Sequence, residues 1–224
     1  HFCLGPFSRG WARDSGRERL MSTPLLRRFS FLERITHWVV GVTFVVLLLS
    51  GLAFAYPSLF WLTTFLGGGA AARVLHPQIG ALFGVGIVVM FVLWIRDMFL
   101  DARDREWLGA IRHYVAHDSE KVPPAGKYNA GQKLFFWVQS LLGIVFVASG
   151  LVLWFPEYFS AGLLNTARLL HYAATLGGGL FLIVHVYLGT VAYPGTARGM
   201  IDGKVTPAWA RLHHPRWSGD RVDH

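Results

Sequence analysis

Four long apolar runs separated by polar stretches set the pattern of this 224-residue chain. They cover 37–56, 75–95, 134–155 and 169–193, and none contains an Asp, Glu, Lys or Arg. A hydrocarbon core about 30 Å thick is crossed by about 20 helical residues. In lipid, every backbone N–H and C=O must be satisfied within the span, which selects helices for such runs. The pattern therefore predicts an all-α integral membrane protein, a bundle of four transmembrane helices. The flanks divide the rest: 1–30 is an N-terminal extension, 31–197 the membrane domain and 198–224 a basic tail. Residues 1–20, polar, rich in Gly and Arg and without period, read as flexible.

Charge orients the bundle. The net charge is +8, a value that elsewhere suggests nucleic acid, but its distribution argues otherwise. Basic residues crowd the segment before the first run, the 96–133 loop and the tail. The 57–72 and 156–168 loops and their edges hold only Arg73 and Arg168. This is the positive-inside pattern, so both termini and the 96–133 loop are expected in the cytoplasm and the partner is lipid, not nucleic acid. Trp38, Trp61, Trp94, Trp137 and Trp154 lie near run ends, where interfacial aromatics anchor. Cys3 is the only cysteine, so neither a disulfide nor an iron–sulfur cluster is expected within the chain.

The first and third runs resemble each other, with Ser-Gly-Leu, an apolar stretch, Pro and aromatics at 47–60 and again at 146–159. The second and fourth open on Leu75-His76 and Leu170-His171. The chain reads as two diverged hairpins, although shared hydrophobic composition also produces such matches.

Ionisable groups within a membrane are costly and default to function. Of the 10 histidines, His37, His76, His171 and His185 lie in or at the ends of the runs. Topology sorts them into an inner pair, His37 with His185, and an outer pair, His76 with His171. His171 and His185 stand about 21 Å apart along one helix face, at about 1.5 Å per residue. Imidazole is a good ligand for heme iron, and two axial imidazoles leave electron transfer as the iron's job. Two bis-histidine b-type hemes at two depths are expected. Gly51, Gly143, Gly150 and Gly178 fit either close helix packing or room for a macrocycle. Arg34, Arg73 and Arg168 each precede a candidate ligand by three residues, on its helix face, and suit heme propionates. His76 precedes Pro77 and is expected to cap its helix or lie in the first turn. His113 and His117, four apart in the loop, offer a metal pair that no acid or thiol completes and read as solvated surface; His213 and His214 in the tail read as surface or partner contacts.

The order of helices, the four histidines, GKYNAGQK (126–133) and the tail GMIDGKVTPAWARLHHPRW (199–217) resemble the gamma subunit, a diheme cytochrome b, of respiratory membrane-bound formate dehydrogenases. The histidine layout alone is shared with hydrogenase cytochrome b subunits. The resemblance implies an iron–sulfur subunit docked on the outer face and a molybdenum- or tungsten-containing catalytic subunit. It implies electrons passing from the outer heme to the inner heme and on to a quinone near the cytoplasmic surface of a bacterial inner membrane. It also implies quinone contacts from the segment matched by Asn129, Gly131 and Gln132. The same residues suit a helix start, with Asn129 as N-cap. Formate chemistry is expected on a partner, and this chain carries no catalytic residue for it.

Overall fold

The computed structural model describes residues 25–116 and 118–222. The expected flexible segment 1–20 and His117 lie outside the described residues. In chain order the helices are α1 (Phe31–Ala55), α2 (Gly69–Trp94), α3 (Ala102–Gly109), α4 (Ile111–Val115), α5 (Ala130–Trp154), α6 (Ala161–Tyr187), α7 (Arg198–Asp202), α8 (Pro207–His213) and α9 (Pro215–Val222). Among the described residues α1, α2, α5 and α6 are the four helices long and apolar enough to cross a membrane. Their outward faces carry exposed aliphatic residues, among them Val42, Val88, Ile144 and Leu180, as lipid-facing helices do. Hairpins α1–α2 and α5–α6 pack internally, and α2 joins α5 to close the bundle. Glycines allow the join: a Cβ on Gly143 would meet Ile87 at 3.0 Å and one on Gly84 would meet Val147 at 3.2 Å.

Each spanning helix starts before its apolar run. Ser30 caps α1, its hydroxyl accepting from Glu33 N at 3.2 Å while Glu33 Oε2 accepts from Ser30 N at 2.7 Å. Asn129 and Gln132 repeat this box at α5, and Ser160 caps α6. Capping chemistry sets these starts, so the predicted boundaries are too late by a turn or more. The correction matters most for the histidines. His76 does not cap α2; the helix opens at Gly69, after Gly67 and Gly68 turn the chain at φ of 84° and 93°. Pro77 therefore sits inside the helix, where its ring removes the donor to the Arg73 carbonyl. His171 likewise lies nearly three turns inside α6, counting 3.6 residues per turn.

The largest buried apolar clusters lie at one end of the bundle. Phe29, Trp94, Met98, Tyr128 and Phe136 form one; Val205, Trp209, Ala210 and Trp217 form the other. Strand β1 (Leu26–Arg27) pairs antiparallel with β2 (Lys204–Val205), so the two described ends of the chain meet on one side. Trp38 Nε1 donates to Met200 O at 3.0 Å and Arg34 Nε donates to the same carbonyl at 3.4 Å. Residues 25–30 and the tail thus form a folded cap on this side, called here the tail side. Trp94 departs from its expected interfacial role: it is buried, its Nε1 donating to Glu33 Oε1 at 2.8 Å.

Candidate functional site

The four histidines meet in pairs, each pair bridging the two hairpins. On the tail side, His37 of α1 faces His185 of α6 with ring centroids 5.8 Å apart. On the far side, His76 of α2 faces His171 of α6 at 6.4 Å. With a metal–imidazole bond of about 2 Å, and about 1 Å more to each ring centre, two imidazoles sharing one metal stand about 6 Å apart. Both pairs match that separation. Their chemistry fits too, because neutral imidazole is the ligand of heme iron.

Two serines that the sequence reading missed hold the far-side pair. Ser50 Oγ lies 2.7 Å from His76 Nδ1, and Ser149 Oγ lies 2.8 Å from His171 Nδ1. These are the serines of the repeated Ser-Gly-Leu, so the repeat in sequence is a repeat in structure. The next residues serve the same rings: a Cβ on Gly51 would stand 3.7 Å from His76 Cε1, and one on Gly150 would stand 3.6 Å from His171 Cε1. The tail-side pair differs. Among the described residues His37 Nδ1 is buried without a partner, and Phe135 stacks on the His185 ring at 5.0 Å and 17°.

Between the levels stands a cluster of Phe44, Phe83 and Phe146, with ring centroids 5.9–6.3 Å apart. Gly178 lies beside it; a Cβ there would meet Phe44 Cζ at 2.9 Å. Gly178 and Gly143 are thus occupied by neighbouring side chains, and packing explains them where room for a macrocycle was the alternative.

The remaining expected residues divide. Arg168 Nη1 donates to Asn165 Oδ1 at 2.9 Å, on the far side, one turn before His171. Arg73 stands one turn before His76 in α2. Arg34 is engaged elsewhere, donating to the carbonyls of Met200 and Ile201. Asn129 and Gln132 meet as the α5 capping box, Asn129 Oδ1 accepting from Gln132 N at 2.9 Å and Gln132 Oε1 from Asn129 N at 3.0 Å. The ring that approaches Gly131 is the chain's own Trp107, 3.2 Å from a Cβ placed there. Asn129 also reaches the Tyr114 hydroxyl, which burial pushes above its ordinary value. Tyr114 stacks on Tyr193 at 4.8 Å, just past the π-helical turn Leu188–Ala192 that ends the fourth span.

In the cap, Arg28 and His214 are both buried, at 5% and 2% exposure. Arg28 Nη2 donates to His214 Nε2 at 3.0 Å and to Lys127 O at 2.8 Å, and His214 Nδ1 donates to Gly126 O at 2.7 Å. Burial lowers the Arg28 guanidinium to about 10. Burial and the neighbouring guanidinium hold His214 far below its ordinary value. The expected surface role for His214 is therefore corrected: its polar sequence context hides a packed core position. His113 Nδ1 lies 3.5 Å from Asp118 Oδ2.

Residues 28–203 match the family model described as prokaryotic cytochrome b561. The nitrate-inducible formate dehydrogenase cytochrome b556 subunit of Escherichia coli K12 is 35% identical over 203 residues, covering 88% of this chain and 92% of that protein. The second formate dehydrogenase cytochrome b556 subunit of that strain is 34% identical over 193 residues, 85% and 90% of the two chains. The formate dehydrogenase cytochrome b556 subunit of Haemophilus influenzae is 33% identical over 192 residues, 84% and 80%. The chain belongs to the prokaryotic cytochrome b561 family, and membership of a cytochrome b family implies heme b.

Proposed function

We propose that this chain is the membrane subunit that carries electrons from a formate-oxidising catalytic and iron–sulfur module, through two bis-histidine b hemes, to a quinone. The reading is carried by one observation: two imidazole pairs at metal-bridging separation, at two depths of a four-span bundle. The relatives' role in formate dehydrogenase supplies the donor. Heme bound at each level supplies one-electron iron chemistry.

The residues act as follows. His76 and His171 hold the far-side iron, and His37 and His185 the tail-side iron. Arg73 and Arg168, each one turn from a far-side ligand, neutralise propionates there. In this reading the far side faces outward and the tail side faces the cytoplasm of a bacterial inner membrane, which the loop charges support. The iron–sulfur subunit then docks outside, on the 57–72 and 156–168 loops. Quinone binds on the tail side near Asn129, Gly131 and Gln132. Both amide oxygens are spent on the cap and Asn129 also meets the Tyr114 hydroxyl, so the donors left for a quinone carbonyl are the remaining N–H bonds of the two amides. Protons come from cytoplasmic water, so turnover moves charge across the membrane.

Purification of the intact complex tests this. Formate should reduce two b-type components per copy of this chain, and added quinone should reoxidise them. Asn129→Ala should slow turnover at limiting quinone while both components still reduce from formate. A complex with one heme, or with a nickel–iron hydrogenase as its partner, overturns the assignment.

A further inference from the structure

We infer that Ser50 and Ser149 are positioning residues that fix the tautomer of both far-side ligands and make that heme the more electron-rich of the two. The inference rests on the two-heme reading above.

The argument is a count of hydrogens. Ser50 Oγ has three close polar neighbours: Val46 O at 2.8 Å, Leu47 O at 3.2 Å and His76 Nδ1 at 2.7 Å. Carbonyl oxygens only accept, and the hydroxyl has one hydrogen. That hydrogen goes to the carbonyl one turn back, the usual bond of a helical serine. The contact with His76 is then an Nδ1–H donating to Oγ. Ser149 repeats the arrangement, bonded to the carbonyls of Val145 and Phe146 and 2.8 Å from His171 Nδ1. A neutral imidazole protonated at Nδ1 has its lone pair on Nε2. Both far-side rings therefore keep the Nε2 lone pair available to a metal. Were the serines to donate instead, Nε2 would carry the hydrogen and neither ring could bind metal through it.

The bond also tunes the iron. A ligating imidazole that donates its second N–H is a more basic ligand, and a more basic ligand favours the oxidised metal. Both far-side ligands have this support, while His37 Nδ1 on the tail side has none from the described residues. The far-side heme is the lower-potential one, and electrons entering there run downhill to the tail side.

The test uses the intact complex with Ser50→Ala, Ser149→Ala and the corresponding Thr variants, read by potentiometry of the b bands and by EPR of the oxidised irons. Wild type should show two b-type components, and the one absent from His76→Ala is the far-side heme. Each Ala variant should keep full heme content, raise that component's midpoint and leave the other in place. The double variant should raise it further. Thr keeps the hydroxyl and the bond one turn back, so the Thr variants should return the midpoint toward wild type. If an Ala variant loses the far-side heme and its Thr counterpart keeps it, the orienting role also stands. Full heme with unchanged midpoints and EPR in both Ala variants overturns the inference, as does equal loss in Ala and Thr, which marks packing alone. A wild-type complex with one heme sinks the underlying reading instead, before any variant is compared.

Discussion

At the level of His76 and His171, each ring leans on a serine of the helix it packs against, inside its own hairpin. At the level of His37 and His185, the pair joins the first spanning helix to the last, His37 Nδ1 lacks a partner among the described residues, and Phe135 supports one ring. The far side is written twice in the sequence, once per hairpin. The tail side is built from parts distant along the chain and is closed by a cap of residues 25–30, the 96–133 loop and the tail. A local device specifies a ligand's orientation; the assembled one leaves His37 Nδ1 without a partner among the described residues.

The most severe way to break this comparison removes one ligand from each level. His76→Ala should leave about one heme of two, because one of two axial bonds is gone, and formate should no longer reduce the heme that remains. His37→Ala should instead leave a far-side heme that formate reduces, with quinone turnover lost. If His37→Ala also abolishes reduction from the donor side, the order of the two levels is wrong.

A smaller perturbation lies between the levels. Gly178→Leu drives a side chain into Phe44, where even a Cβ would stand at 2.9 Å. Overpacking of this kind costs about 3 kcal/mol, read as a lower thermal midpoint of the purified complex, with both pairs of ligands retained.

How far these levels could be read beforehand depends on what each rests on. The four spans were legible because an apolar run is a property of neighbouring residues. Their starts were not, because Ser30 with Glu33 and Asn129 with Gln132 act through reciprocal bonds that hydropathy does not register. The pairing of histidines followed from topology and depth. Ser50 and Ser149 were visible as a repeat, yet their task appeared only once packing set them against His76 and His171. Gly131 shows the same limit: the resemblance implies a quinone contact there, but the ring packed against it is that of Trp107. His214 read as surface because its neighbours are polar; only the folded cap buries it.

That cap sharpens the comparison at a lower energy. His214→Ala removes one of the two acceptors of the buried Arg28 Nη2, and a buried N–H left unsatisfied costs about 2 kcal/mol. Thermal stability should fall, and quinone turnover should suffer more than reduction by formate, since the cap covers only the tail side. Equal loss of both hemes would show that the cap supports the whole bundle.

The gentlest test is pH. Folded His214 is held neutral by burial and by the guanidinium at its Nε2, whereas in the unfolded chain it takes up a proton near its ordinary value of about 6.5. Below that pH the unfolded state binds more protons than the folded one, so stability rises with pH and falls as acid is added. The loss begins as pH drops through about 6.5 and grows by up to about 1.4 kcal/mol for each further unit, until the folded value is reached. From pH 7.5 to 5.5 the thermal midpoint of the complex should decline, and His214→Ala should flatten that decline while starting from a lower midpoint. An identical slope in the variant would mean that His214 is not the group whose protonation loosens the cap. Ser50 and Ser149 carry no titrating group, so the far-side midpoint shift expected for their Ala variants should persist across the same range.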